Sequence, residues 1–274
     1  MKEGDISQYM DKGFVELIQV SGDQRMVAGG ARASYNDEAY YDEKKNKGLL
    51  EYLVEHFHTS PLELVSLTFR IKLPLFVVAQ HVRHRMAKQN HQSLRYVKQD
   101  GDYYVPKYDR ICGSHSHNKQ GSGDPLPRHI QELFVEDLLK KNCEESWRRY
   151  CLAVDAGVSK ETARMLLPSN FYTTIVWQMD LSNLCKYLVL RTDSHAQAEI
   201  QELACILELA VKENFPDIYT AYLEYMKNSV TFSATEVEYL KNLVKNEDLD
   251  RVIPSGKIRG SARRFDAFKT KLGL

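Results

Sequence analysis

The sequence predicts an α+β fold with a modest, mostly antiparallel sheet and several long helices. Residues 64–73 alternate apolar and polar side chains, and residues 170–179 are rich in β-branched and aromatic side chains, so both segments are expected to be strands. Apolar residues recur at helical spacing in several longer stretches. Gly29-Gly30 stands alone, and neither GxGxxG after a strand nor GxxxxGKS/T occurs. The sequence therefore supports neither a Rossmann site nor a P-loop.

The elements of the first half follow from periodicity and turn residues. Residues 44–57 predict a helix, because apolar side chains lie at helical spacing: Leu49, Leu50, Leu53, Val54 and Phe57. The strand over 64–73 is expected to have one solvated face, because its apolar residues all point one way: Val65, Leu67, Phe69 and Ile71. Pro74 suits the first turn of a helix that "LFVVAQHVRHR" continues to residue 85. "QNHQS" breaks the pattern, and residues 94–106 predict a hairpin or extended pair around Asp100-Gly101.

The second half is predicted to be mainly helical around one strand. Residues 108–127 have a loop composition, and a long helix is expected over 128–155, ending near Gly157. Ser159 caps a short helix that Pro168 stops, and Asp180 caps a helix after the strand over 170–179. Further helices are predicted over 194–213 and 234–246, the latter with a Ser233–Glu236 capping box. We expect one α+β domain over 1–230, with a loop insertion at 108–127, and a helical, basic extension over 231–274.

Composition limits the function. The chain has 274 residues and a formal net charge of zero, so the whole molecule is not a polyelectrolyte partner for nucleic acid or an anionic membrane. No apolar run approaches the length of a membrane span, and the N-terminus lacks the apolar core of a signal peptide. Five scattered cysteines without CxxC predict reduced thiols and a cytoplasmic location. No Cys or carboxylate set completes His56-x-His58 or His115-x-His117, so we expect no metal site.

One segment carries a local excess of positive charge. No acidic residue occurs between Glu63 and Asp100, whereas the span holds seven cations: Arg70, Lys72, Arg83, Arg85, Lys88, Arg95 and Lys98. A solvated helix face and an anion site are both compatible with this composition. On a helix Arg83 and Arg85 would project about 200° apart, so at least one turns inward or lies where the helix ends. Ser93, Arg95, the loop N–H groups and the amide of Gln80 are the parts of a phosphate cradle.

The same segment resembles a family signature. Arg83-His84-Arg85, seven further residues, Ser93, Leu94 and Arg95, followed by Tyr96, resemble the motif of flavin-dependent thymidylate synthases. The resemblance extends to "ARASY", "HFHTSPLEL", "ETARMLLPSNFYT" and "LVLRTDSHAQAEIQ", and covers roughly residues 25–225. It implies that family's α+β fold and the reductive methylation of dUMP to dTMP by an FAD-dependent methyltransferase. Methylenetetrahydrofolate would supply the carbon, and FAD reduced by NADPH would supply the hydride. It also implies a homotetramer with shared active sites.

The resemblance assigns roles to individual residues. Arg191 is the expected catalytic residue, because a guanidinium beside the uracil favours loss of the N3 proton; the alternative is an ordinary arginine at a helix C-terminus. Arg164, whose alternative is an ion pair with Glu161, belongs with the expected dUMP-binding residues: Gln80, His81, Val82, Arg83, His91, Gln92, Ser93, Leu94, Arg95 and Arg164. The expected FAD-binding residues are Ser60, Arg83, His84, Arg85 and His91, with weaker expectations for His58, Glu63, Ser34 and Lys186.

Some positions depart from the family pattern. Lys186 stands where Asn or His is common, Asp180 and Ser182 replace residues that usually meet the flavin, and His91 replaces a common Glu. These changes concern contacts on the adenine side of the flavin. Ser93 as a nucleophile is rejected, because no His/Asp arrangement points to its activation.

Two rival functions are weighed. One is a nucleic-acid-binding module built on residues 70–98 and the basic tail, against which the even global charge and the missing RNP-like or OB pattern argue. The other is a flavin reductase that does not methylate.

Overall fold

The structure is a computed structural model that describes residues 1–33, 43–114 and 122–245. Its strands are, in chain order, β1 (Ile6–Tyr9), β2 (Gly13–Ser21), β3 (Ser66–Pro74), β4 (Lys88–His91), β5 (Cys112–Ser114), β6 (Ser122–Pro125) and β7 (Tyr172–Asp180). Five of them form an antiparallel sheet in the order β1-β2-β3-β7-β4, and β5 pairs with β6. This architecture confirms the predicted α+β class with a mostly antiparallel sheet.

The two strands predicted from sequence lie side by side at the centre of the sheet. β3 and β7 are in register from the pair Ser66–Asp180 to the pair Pro74–Tyr172. The inward residues Leu67, Phe69 and Ile71 of β3 are fully buried. Lys72, on the outward face, forms ion pairs with Asp102 at 2.5 Å and Asp100 at 3.2 Å. Alternation therefore placed one face on the core and one toward polar partners, as predicted.

Three strands of the main sheet were not predicted. β1 and β2 precede the first predicted element, and β4 falls on the segment predicted as a break. β4 has the sequence KQNH and is exposed at every position, so neither propensity nor alternation marks it. Its pairing with β7, from Lys88–Gln178 to His91–Ile175, makes it a strand.

The hairpin predicted around Asp100-Gly101 is wrong. Gly101 has a φ of +92°, and the Asp100 carboxylate accepts from the backbone N–H of Asp102 at 3.0 Å, which makes a tight turn. The chain then runs away from the turn, and Tyr103 forms an isolated bridge with Phe171. Residues 108–127, predicted as a loop, contain a short 3-10 turn at Tyr108–Arg110 and the β5–β6 pair; residues 115–121 lie outside the described part.

Ten α-helices are described. They are α1 (Gln24–Arg32), α2 (Glu43–Glu55), α3 (Leu75–His81), α4 (Arg128–Glu132), α5 (Lys141–Asp155), α6 (Lys160–Ala163), α7 (Leu181–Arg191), α8 (Ala198–Asn214), α9 (Pro216–Tyr222) and α10 (Ala234–Lys245). A π-helical segment, Leu133–Lys140, joins α4 to α5, and together they form the long helix predicted over 128–155. A second π-helical segment, Leu223–Lys227, follows α9, and 3-10 turns occupy Ser60–Leu64 and Arg164–Leu166. None of these helices combines the length and hydropathy needed to cross a bilayer.

Two of the three predicted caps are confirmed, whereas Ser159, at the start of α6, makes no side-chain capping bond and its hydroxyl donates to that of Thr162 at 3.1 Å. Asp180 caps α7 by accepting from the N–H of Asn183 at 2.9 Å, and Ser233 and Glu236 form the capping box of α10. α8 begins at Ala198 rather than at residue 194.

α3 ends at His81, four residues before the predicted end at 85. Arg83 and Arg85 therefore follow the helix, and the angular argument for opposed helical positions does not apply to them. The alternative that an arginine lies where the helix ends is the one observed.

The hydrophobic core lies between the inner face of the sheet and helices α7 and α8. Trp177 of β7, Tyr187 of α7 and Leu203 of α8 are each fully buried. The predicted stripe of α8 is buried along its length: Ile200, Leu203, Leu207 and Ala210. Contacts divide the chain into two units, Met1–Lys227 and Asn228–Leu274. The basic last 20 residues lie outside the described part.

Candidate active site

The C-terminal ends of α3 and α7 meet at Arg191. Its Nε–H donates to Nε2 of His84 at 3.0 Å, and Nη2 donates to the backbone carbonyl of Gln80 at 3.2 Å. The guanidinium is partly buried and held by two contacts from another segment, which a solvated arginine on a helix dipole would not need. The remaining N–H groups of Arg191 can stabilise developing negative charge on a ligand.

His84 is held in its neutral form. Burial and the neighbouring Arg191 lower the pKa of its imidazole to about 4. Its ring packs edge-on against Tyr187, with ring centroids 4.4 Å apart. Because Nε2 accepts from Arg191, the single proton of the neutral ring lies on Nδ1, which is a donor available to a ligand.

His81, an expected dUMP-binding residue, points into the core. It has no exposed surface, its Nδ1 lies 3.1 Å from the hydroxyl of Tyr187, and its ring centroid is 4.6 Å from that of Trp177. Burial first, and then the nearby His84, His91 and Arg191, lower its pKa to about 3. The His81 side chain therefore packs in the core and is not available to a ligand at the surface.

The segment after β4 forms a compact turn with unused donors. The carbonyl of Thr174 accepts from the N–H of Gln92 at 2.8 Å, and the carbonyl of Ser93 accepts from the N–H groups of Tyr96 and Val97 at 3.0 and 3.1 Å. Leu94 is buried and anchors the turn. Within the described residues, the backbone N–H groups of positions 93, 94 and 95 have no acceptor. Three successive free N–H groups beside a serine hydroxyl are suited to bind an anion.

The cations of the basic span fall into two groups, those paired with carboxylates and those that are not. Arg70 pairs with Glu16 at 2.6 Å, Lys72 with Asp102, and Lys98 with Asp155 at 4.0 Å. Four cations are exposed and have no carboxylate partner in the described part of the chain: Arg83, Arg85, Lys88 and Arg95. Arg95 lies over the ring of Tyr96, 5.0 Å from its centroid. The positive charge that remains free is therefore concentrated in the segment that carries the signature.

Lys186 and His58 line one cavity. The cavity is small, with a volume of about 20 Å³, and apolar side chains form most of its wall, with Phe57 and Ser182 among the lining residues. No carboxylate pairs with Lys186 among the described residues, so its ammonium group is free for a ligand. Ser60 and Glu63 lie in the exposed 3-10 turn that follows His58, whereas Ser34 lies outside the described residues.

Two expected residues have other surroundings. Arg164 is exposed, and its Nε–H donates at 3.1 Å to the backbone carbonyl of Glu161, not to the Glu161 carboxylate. No described contact brings it to Arg191. Both carboxylate oxygens of Asp180 accept from Asn183, so capping α7 fully explains this residue.

A second group of residues behind Gln80 was not predicted. Gln80 donates from Nε2 to Oε1 of Gln197, and Gln197 donates from Nε2 to Oε2 of Glu199 at 2.7 Å. Glu199 and Arg110 line a cleft with a volume of about 450 Å³. The only sequence signal was the segment "SHAQAE", which matched the family without indicating a contact. The described residues contain no group of three or more His, Cys, Asp or Glu able to hold a metal ion.

A partly buried arginine, a neutral histidine and a turn with free N–H groups lie on one antiparallel α+β scaffold, which indicates an enzyme with a site suited to an anionic substrate. The model of the thymidylate synthase complementing protein family matches residues 16–217. The chain belongs to this family.

Relatives and solved structures agree with this assignment. The flavin-dependent thymidylate synthase of Ehrlichia ruminantium (strain Gardel) is 38% identical over 242 residues, covering 88% of this chain and 81% of that protein. The enzyme of the same description from Treponema denticola is 37% identical over 240 residues, covering 87% and 90%. The crystal structure of the UMP/dUMP methylase PolB from Streptomyces cacaoi, bound with 5-Br dUMP, superimposes with a TM-score of 0.72 at 28% identity. That likeness covers 82% of this chain and all of PolB.

Proposed function

We propose that this enzyme is a flavin-dependent thymidylate synthase that methylates dUMP to dTMP, with methylenetetrahydrofolate as carbon donor. The observation that carries the proposal is the joining of Arg191, His84 and Gln80, and the free N–H groups of residues 93–95 support it. This arrangement combines a donor for an oxyanion with a cradle for a phosphate. The family's signature residues lie in these same elements.

The nucleotide would be held at both ends. The hydroxyl of Ser93, the free N–H groups beside it and the exposed guanidinium of Arg95 would bind the 5′-phosphate. Arg191, fixed by His84, would face the uracil and stabilise the negative charge that forms when N3 loses its proton. Arg83 has no carboxylate partner in the described part and would neutralise phosphate charge from the same side. Arg164, which no described contact joins to these residues, would meet a nucleotide in another subunit.

The residues present fit a flavin nucleotide. Arg83, Arg85 and Lys186 offer free positive charge, and the cavity beside His58 has a mostly apolar wall. When bound, FAD reduced by NADPH supplies the hydride of the reaction. His84 would donate from Nδ1, and Ser60 would act from a neighbouring subunit of a homotetramer. The unit Met1–Lys227 would carry catalysis, and the enzyme would work in the cytoplasm.

Release of tritium tests the proposal. Purified protein with FAD, NADPH and methylenetetrahydrofolate is expected to release tritium from dUMP labelled at C5 and to form dTMP in equal amount. Arg191→Ala should abolish release, whereas Arg148→Ala, which removes an exposed arginine paired with Glu145, should not change it. Oxidation of NADPH without tritium release would instead identify a flavin reductase. Colourless protein that takes up no FAD but binds nucleic acid with a steep salt dependence would favour the nucleic-acid alternative.

A further inference from the structure

A chain of hydrogen bonds runs from the site to a buried ion pair. Gln80 bonds to Gln197, and Gln197 bonds to Glu199. Glu199 is 5% exposed and accepts from Arg110 in two places, at 2.8 Å to Oε1 and 3.0 Å to Oε2. The hydroxyl of Tyr104 is a second donor to Oε1, at 3.3 Å. Glu199 and Arg110 are 89 residues apart in sequence, so this ion pair joins two distant segments of the chain.

The negative charge of Glu199 determines which group donates and which accepts in each of these hydrogen bonds. The neighbouring Arg110 and Gln197 hold the pKa of the Glu199 carboxyl below its usual value despite the opposing effect of burial, so the group is ionised at neutral pH. An ionised carboxylate only accepts hydrogen bonds. Gln197 must therefore turn its NH₂ group toward Glu199 and its oxygen toward Gln80, and cannot flip without placing two acceptors together.

The orientation of Gln197 in turn fixes that of the Gln80 side-chain amide. Because Gln197 offers an oxygen, Gln80 must turn its NH₂ group toward it. Oε1 of Gln80 then points away from Gln197, and no described residue donates a hydrogen bond to it. Gln80 is only partly buried, and its backbone carbonyl is the group to which Arg191 is bonded. A fixed acceptor therefore stands beside the arginine expected to face the uracil.

We propose that Glu199 and Gln197 are positioning residues that present the side-chain oxygen of Gln80, Oε1, to a hydrogen-bond donor of the nucleotide. On dUMP the candidate donors are the ring N3–H and the ribose 3′-hydroxyl, because the phosphate oxygens and the ring carbonyls only accept. The oxygen of Gln80 thus recognises the nucleoside part, while the turn at 93–95 keeps the phosphate. This inference rests on the proposed binding of dUMP at this site.

Two analogues test the wild-type enzyme directly. One lacks the 3′-hydroxyl (2′,3′-dideoxyuridine monophosphate), and the other blocks the ring donor (N3-methyl-dUMP). Binding of each is compared with dUMP by calorimetry on the FAD-loaded enzyme. We expect one analogue to bind roughly 3- to 10-fold more weakly than dUMP, the range of one net hydrogen bond, and its identity names the donor. Equal affinity for dUMP and both analogues overturns the proposal. Failure of the wild type to bind dUMP at all would refute the proposed function instead.

Gln197→Met then tests the relay. It keeps the volume of the side chain, leaves the Glu199–Arg110 pair intact and frees the Gln80 amide to rotate. The penalty for the sensitive analogue should fall to within about 2-fold of dUMP, because a rotated amide no longer favours a donor. Gln19→Met, at an exposed position in β2, is the matched control and should keep the wild-type ratio. A Gln197→Met enzyme that keeps the full penalty, with an unfolding temperature equal to that of the control, overturns the proposal.

Discussion

Phe57 occupies a backbone conformation that favours glycine, and this predicts an unusual response to mutation. After α2 the N–H of His58 bonds to the carbonyl of Leu53 at 2.8 Å, and the N–H of Phe57 bonds to that of Val54 at 3.3 Å. This is the Schellman pattern, with Phe57 at its left-handed position at a φ of +56°. For an L-residue with a Cβ this conformation costs about 1–2 kcal/mol.

The magnitude is best measured between alanine and glycine at this position. Both variants remove the ring, which is 66% exposed, so the loss of ring contacts cancels in the comparison. Glycine removes the strain of about 1–2 kcal/mol but gains about 0.5–1 kcal/mol of conformational freedom in the unfolded chain. Phe57→Gly should therefore be more stable than Phe57→Ala by roughly 0.5–1 kcal/mol.

Urea unfolding followed by circular dichroism measures the difference. Position 144 in the body of α5 supplies the control, because Glu144 is exposed and helical. There Glu144→Gly should be less stable than Glu144→Ala by about 1 kcal/mol, the ordinary helix penalty of glycine. The sign must therefore reverse between the two positions. If glycine is also the less stable variant at position 57, the left-handed strain assigned to Phe57 is refuted.

Three further predictions concern the site and the core. Ser93→Ala should raise the KM for dUMP roughly 3- to 10-fold and change kcat at saturation by less than about 2-fold in steady-state assays; complete loss of turnover with intact binding of nucleotide and flavin would contradict its phosphate-binding role. The folded-state pKa of His84, about 4, lies below the ordinary value of 6.5, so between these pH values the unfolded chain binds the extra proton and stability falls as pH decreases. His84→Gln should reduce the slope of unfolding free energy against pH in that window, and an unchanged slope would show that His84 does not titrate this way. Leu203→Ala should lower the free energy of unfolding by about 2–5 kcal/mol in urea, because Leu203 is fully buried, whereas Leu209→Ala, at a 48% exposed position, should cost less than about 1 kcal/mol.

Local patterns in the sequence predicted the centre of the fold. β3 was predicted from alternation and β7 from composition, because each strand packs one face on the core and so carries the signal in its own residues. The capping of α7 by Asp180 and of α10 by Ser233 was equally local. β4 could not be found in this way, because its four polar residues form a strand only through pairing with β7.

The site was predicted as residues but not as a network. The signature located Arg83 and His84, the segment "LVLRTDSHAQAEIQ" located Arg191, and the excess of cations indicated an anion. The sequence did not reveal that Arg70, Lys72 and Lys98 pair with acidic residues of other elements, because those pairs form only in the folded chain. The contact of Arg110 with Glu199 joins segments 89 residues apart, and no spacing in the sequence reports it.

The position of β4 at the rim of the sheet has a consequence for dynamics. Among the described strands β4 pairs only with β7, and it is four residues long with no buried side chain, so it should open more readily than β3 or β7. The turn over 93–97 follows β4 directly in sequence, so we expect it to move when β4 separates from β7. Ordering this edge of the sheet would reduce the net free energy of binding of a nucleotide at the turn, so its affinity would depend on how firmly β4 pairs with β7. Hydrogen exchange in residues 88–97 would register that cost directly.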